Sequence, residues 1–167
     1  MKPELQKIYD MNITHFGHLE DPKIMGLTIY AEARGELFTG QVCVGTVILE
    51  RVDHRTSDGN TIQEVCLWPK QFSCYLSSDN EYPMIYDIAH RWDSEIAVNK
   101  VLVQCFDIAT RLISGALPRD KDLAAAHCCQ YVTTQWRRYV DAHPSKGERW
   151  WASMKLIKIV GHHEFYG

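Results

Sequence analysis

The sequence predicts an α+β domain, with helices filling the first two thirds and a small antiparallel sheet in the last. Apolar residues recur at helical spacing between residues 21 and 114, whereas "AAAHCCQYV" (124–132) and "MKLIKIVGHHEFY" (154–166) are rich in strand-favouring residues. The length sets the scale: 167 residues with 46% apolar and 23% charged side chains supply one core and are too few for a second. One domain is therefore expected over 1–167, with residues 1–20 as an N-terminal extension.

The first expected helix starts at Asp21, a capping acceptor, followed by Pro22, whose missing N–H is no loss in a first turn. Ile24, Leu27, Thr28 and the Tyr30–Ala31 pair give it an apolar face, and it stops near Gly35, which puts Glu32 in its final turn. Thr39 is the expected cap of a second helix. Its residues Val42, Cys43, Thr46, Val47, Ile48 and Leu49 are apolar nearly all round, the mark of a buried central helix. Residues 53–60, "DHRTSDGN", read as a polar loop, and Thr61 caps a short helix through Leu67. "WPKQFSCYLSSDNEYP" reads as irregular chain long enough for a binding loop. A long helix is expected from Asp93 to Ser114, with Ile96, Val98, Val101, Leu102, Cys105, Ile108, Ala109 and Leu112 on its apolar face and Gly115 and Pro118 ending it. Gly161 interrupts the last segment as a turn or bulge.

Composition excludes several classes of function. A net charge of -3 and a pI near 6.2 give no basic face for nucleic acid, and no partner of that kind is expected. "WRRY" (136–139) and "KGERWW" (146–151) mix cations with aromatics, but rings of this kind usually pack and arginines cover them. Nowhere do eighteen apolar residues run uninterrupted, so no membrane span is expected. The first residues lack the apolar stretch of a Sec-type signal, which points to synthesis in the cytoplasm, where the six cysteines stay reduced. Cys43 and Cys105 read as small core hydrophobes.

Five segments, "IYAEARGE", "GQVCVGTVILERV", "QFSCY", "AAAHCCQYV" and "VGHHEFY", resemble in order and spacing the cell wall hydrolases of the SleB/CwlJ type. The resemblance covers residues 21–166. Its most specific block is the first, and the closing Gly161, His163, Phe165 and Tyr166 agree with it. Two departures stand out: Ala31 where many relatives carry glycine, and Cys128-Cys129 where an aromatic or histidine pair is common.

The resemblance implies a lysozyme-like, lytic transglycosylase-like helical domain that attacks peptidoglycan glycan strands, with Glu32 as its catalytic acid. Other members of the family are labelled N-acetylmuramoyl-L-alanine amidases, a different bond and chemistry. A muramidase-type hydrolase and a non-catalytic wall-binding protein complete the alternatives. The compact chain suits a monomeric phage endolysin that waits in the cytoplasm and reaches the wall through a membrane pore.

Glycosidic cleavage needs a carboxylic acid still protonated near neutral pH. A glutamate in the last turn of a helix, packed on an apolar neighbour, meets this need, because burial and the negative helix terminus both raise its pKa. Glu36, one turn on, projects from the same side and is expected to brace, pairing with Arg34, Arg51 or a backbone N–H at the next helix start. Arg34 either orients a carboxylate or caps the helix end, and Gln41 either meets a substrate acetamide or holds the turn. Gln71, Phe72 and Ser73 suit a cleft edge, with Phe72 equally suited to the core, and Tyr131 and Trp136 either stack a sugar ring or close the core. His127 and His163 either face the cleft and each other or, the commoner case, are satisfied structural histidines. No cofactor or metal is expected, since His127, Cys128, Cys129 and His162 lack the knuckle spacing of a zinc site.

Overall fold

The computed structural model describes residues 2–54 and 59–167. The middle of the polar loop expected at 53–60 lies outside the described residues. Helices α1 (Pro3–Phe16), α2 (Asp21–Ala33), α3 (Phe38–Asp53), α4 (Ile62–Leu67), α5 (Tyr82–His90), α6 (Trp92–Val98), α7 (Lys100–Ile113), α8 (Lys121–Ala125) and α9 (Thr134–Ala142) surround a core, with strands β1 (Gln130–Thr133), β2 (Leu156–Val160) and β3 (His163–Tyr166) at one end. The architecture is the α+β arrangement expected. Among the described residues no helix is long and apolar enough to cross a membrane.

Helix α2 is the hub, with Ile24 through Tyr30 all buried. Helix α7 lies across it at Gly26, where a Cβ would stand 2.9 Å from the Phe106 Cα, so only glycine permits this approach of two backbones. Helix α3 is buried from Gly40 to Arg51, as its all-round apolar sequence requires.

The residues expected as an N-terminal extension form α1, which buries Phe16 in the same core as α2 and α7, and Leu19 joins them from the connecting turn. Helix α2 begins at Asp21 with Pro22 in its first turn, but no side chain caps it, and Thr39 does not cap α3, whose flanking residue is Leu37. Thr61 does cap α4, accepting from the Glu64 N–H at 3.1 Å. The long helix expected over 93–114 is two helices. Asn99 leaves the helical conformation, its side chain accepts from the Leu102 N–H, and its amide donates to the Tyr30 hydroxyl. The break turns Val98 out to 77% exposure, although its spacing assigned it to the apolar face. "AAAHCCQYV" is divided as well: its start belongs to α8 and only Gln130–Thr133 pairs as a strand.

The sheet is antiparallel with order β1-β3-β2, setting Tyr131 opposite Phe165 and Thr133 opposite His163. Strands β2 and β3 form a hairpin that turns at Gly161, in the left-handed region at φ 55°. Cys43 and Val47 of α3 pack with Leu123, Cys128 and Phe165 and join the sheet to the helices. Cys43, Cys66, Cys74, Cys105 and Cys128 are buried thiols. Burial pushes Cys66 and Cys105 up to about 12, which keeps both as inert packing groups.

Candidate active site

The end of α2 is held by three independent ties. Arg34 does both things its position allowed: it donates to the Ala31 carbonyl at 3.1 Å and pairs with Glu81 at 2.8 Å. The buried Gln41 amide donates to the Ala33 carbonyl at 3.3 Å and the Glu36 carbonyl at 3.4 Å, and its oxygen accepts from Gln104 at 2.6 Å. Gln41 therefore holds the turn, with no atom left for a substrate. Glu36 is the third tie. Its side chain is only 8% exposed, and its Oε1 accepts from the His162 N–H at 3.1 Å and lies 2.8 Å from His162 Nδ1. It braces the α2–α3 turn against the β2–β3 turn, rather than pairing with Arg34, Arg51 or an N–H at the start of α3.

These ties fix Glu32 at the floor of a groove. On one side lies a cavity of about 650 Å³ lined by Glu32, Arg51, Lys70, Gln71, Ser73, Asp79, Gln130, Tyr131, Val132, Thr133, Trp136 and Trp150. On the other side Glu32 and Thr133 also line a smaller cavity of about 380 Å³, with Arg34, Glu36, Glu81, His162 and His163. Glu32 stands between the two, half-buried, with its carboxyl group set among protein atoms. The Tyr131 hydroxyl donates to Glu32 Oε2 at 3.0 Å.

Burial raises the Glu32 pKa to about 7. The Tyr131 hydrogen bond, the Arg51 charge and the Cys74 thiol pull it down, while the Asp79 charge adds to the rise. Burial and the neighbouring Glu32 hold the Tyr131 hydroxyl well above its usual range, so it remains a donor. Arg51 is anchored by its Nε donating to the Cys129 carbonyl at 2.8 Å and by its guanidinium lying 5.1 Å from the Phe72 ring centre. Its NH1 is buried without a hydrogen-bond partner among the described residues. A carboxyl group half protonated near pH 7 at the floor of a groove can give a proton to a leaving oxygen and take one back.

The structure brings together Glu32, Gln71, Ser73, Tyr131 and Trp136 from the expected set, with Trp136 47% exposed toward the groove. It does not bring in Phe72, which is buried in the core beneath Arg51. His163 is buried and packs edge-on to Tyr131, with ring centres 5.2 Å apart, and burial lowers its pKa below the ordinary histidine value. His127 does not face the cleft or His163. It sits 67% exposed beside Glu50 and His54, in the segment between α8 and β1.

Arg51, Lys70, Asp79, Gln130, Thr133 and Trp150 line the groove without having been expected there. Thr133 had a signal, since it follows Tyr131 by two residues and so shares its face of a strand. Asp79 and Lys70 lie in irregular chain, where no periodicity reports direction.

A family model described as cell wall hydrolase matches residues 35–166, a span that begins just past Glu32. The catalytic domain of the germination-specific lytic transglycosylase SleB from Bacillus anthracis is similar in structure, with a TM-score of 0.53 at 24% identity over 88% of this chain and 93% of that one. The catalytic domain of the Bacillus cereus SleB protein matches with a TM-score of 0.53 at 23% identity over 88% of this chain and 89% of its own. At these identities the likeness establishes the fold. No curated protein matches the chain.

Proposed function

Because this chain belongs to the cell wall hydrolase family, of the SleB/CwlJ type, we propose that it cuts the MurNAc-GlcNAc β-1,4 bond of peptidoglycan as a lytic transglycosylase, with residues 1–167 as one catalytic domain. The observation that carries this reading is Glu32, half-buried between two cavities that both reach it, with a pKa near 7. Glu32 protonates the leaving glycosidic oxygen as the bond to the muramoyl C1 breaks. The muramoyl C6 hydroxyl then bonds to C1, and its proton passes to the Glu32 carboxylate, which returns the acid to its starting state. The attack is intramolecular, with an effective concentration of order 10⁵ M or more in well-oriented cases, so no water has to be activated. Tyr131 orients the acid. Trp136, exposed at the groove wall, offers a face for a sugar ring, and Gln71 and Ser73 offer polar atoms at the edge.

Asp79 favours a second reading. Its carboxylate lines the same cavity and is close enough to raise the Glu32 pKa, so a muramidase-type hydrolase with Asp79 as the second carboxylate is the alternative. Mass spectrometry of digested sacculi separates the readings. Anhydromuramoyl ends are expected; reducing muramic ends would replace the first reading by the second, and freed stem peptides would replace both by an amidase. Glu32→Gln is expected to lower glycan cleavage by about 10²–10⁴-fold, the usual worth of a positioned acid.

A further inference from the structure

Outside the groove, three side chains converge that the proposed reaction does not use. Glu50 is buried in α3, His54 follows one turn later at the helix end, and His127 reaches them from the segment between α8 and β1. Their ligand atoms all lie within 4.8 Å of one another.

We propose that Glu50, His54 and His127 form a binding site for a divalent transition metal, best suited to zinc, that clips the end of α3 to the chain entering β1. A tetrahedral zinc with bonds of 2.0–2.1 Å sets its ligand atoms about 3.3 Å apart. Glu50 Oε2 stands 3.2 Å from His54 Nε2 and 3.5 Å from His127 Nδ1, so two edges of that tetrahedron are already present. Only the edge between the two histidines, whose ring centres are 4.1 Å apart, has to adjust.

The carboxylate is divided between two tasks. Its Oε1 accepts from Arg119 at 2.8 Å, which leaves Oε2 turned toward both imidazoles. An oriented carboxylate of this kind is the usual support for a metal ligand. Arg119 also pairs with Asp53 at 2.5 Å, so among the described residues this cation is shared between two carboxylates and does not fully neutralise Glu50. Two imidazoles and one carboxylate are a zinc-type donor set, and exposure of the histidines gives the metal a route in and an open fourth position for water.

None of the three residues lines the groove around Glu32, so the metal acts as a brace and supplies no second hydrolytic centre there. Its reach toward the site is indirect. Arg51 adjoins Glu50 and holds the Cys129 carbonyl two residues past His127, and β1 follows with Tyr131.

Calorimetric titration of Zn²⁺ into the untagged, chelator-treated protein tests the site. One ion per chain is expected, with binding at least about tenfold weaker in His54→Gln and in His127→Asn, since losing a ligand costs no less than losing its support. Asparagine tolerates the left-handed backbone of position 127, where φ is 48°, so that variant folds. His162→Ala, which removes an exposed histidine beside Glu36, is expected to bind as the parent does. Zinc should raise the melting temperature of the parent and leave both ligand variants unmoved, and Co²⁺ in the parent should give the visible absorption of a four-coordinate site. Absence of saturable binding, unchanged affinity in both ligand variants, or loss of affinity in His162→Ala alone would overturn the proposal.

Discussion

The Tyr131 hydroxyl donates to Glu32 Oε2 at 3.0 Å across 99 residues of sequence. This one bond joins the last turn of α2 to the first strand of the sheet, and it lowers the carboxyl pKa against the larger rise that burial brings. A donor to the charged form stabilises that form.

Tyr131→Phe removes that donor and should raise the Glu32 pKa further above its present value of about 7. The alkaline limb of the pH–rate profile, which follows loss of the Glu32 proton, is expected to move to higher pH. A limb that stays in place, or moves down, would show that another group controls it.

Glu32→Gln should stabilise the fold at alkaline pH while it disables cleavage. The native pKa of about 7 lies above the unbound value of 4.5, so the native state holds the proton more tightly than the unfolded chain and stability falls as pH rises between those values. The cost is absent below 4.5 and complete above 7, and amounts to ~3 kcal/mol. Thermal melts should show the variant above the parent at pH 8 and level with it at pH 4.

Asp79→Asn removes a negative charge that helps keep Glu32 protonated. The Glu32 pKa should fall and the alkaline limb should move to lower pH, with anhydromuramoyl ends still the product. A fall in rate of about 10³-fold together with loss of reducing ends would mark Asp79 as the base of a hydrolase.

Gly161→Ala should be among the most damaging single-methyl changes. The position has φ 55°, and a Cβ there would lie 1.5 Å from Glu36 Oε2, the carboxylate that braces the turn. A loss of about 3 kcal/mol is expected by chemical denaturation, with a fall in activity as the hairpin pulls away from the end of α2.

Gly26→Ala and Gly45→Ala separate two kinds of close packing. At Gly26 the obstacle is the Phe106 backbone at 2.9 Å, which cannot step aside without parting α2 from α7. At Gly45 the Cβ would meet the Leu112 Cδ1 at 2.5 Å, the tip of a side chain that can rotate. Gly26→Ala should therefore lower the denaturation midpoint more, with overpacking costs of about 1–3 kcal/mol in each case.

Some of the site was legible because its cause is local. The Asp21-Pro22 start and the Gly35 stop place Glu32 in a final helical turn, and Gly161 marks the hairpin, whatever else the chain does. The division of the long helix was not legible in periodicity, since Asn99 breaks it for two partners at once, the Leu102 N–H and the distant Tyr30 hydroxyl. The place of His127 was left open for a related reason. Its segment looks like a strand by composition, but α8 consumes the first part of it, and the histidine stands beside Glu50 before β1 begins.

By itself the sequence determined that a glutamate would end an apolar helix beside a buried one, because helix starts, stops and faces depend on residues within a turn or two of each other. Only the tertiary structure decided that this glutamate would hold its proton near pH 7. That property comes from burial, and the groups that adjust it, Tyr131, Arg51, Cys74 and Asp79, arrive from three separate parts of the chain. A carboxyl pKa responds to the charges and the water it loses in space, and sequence separation carries no record of either.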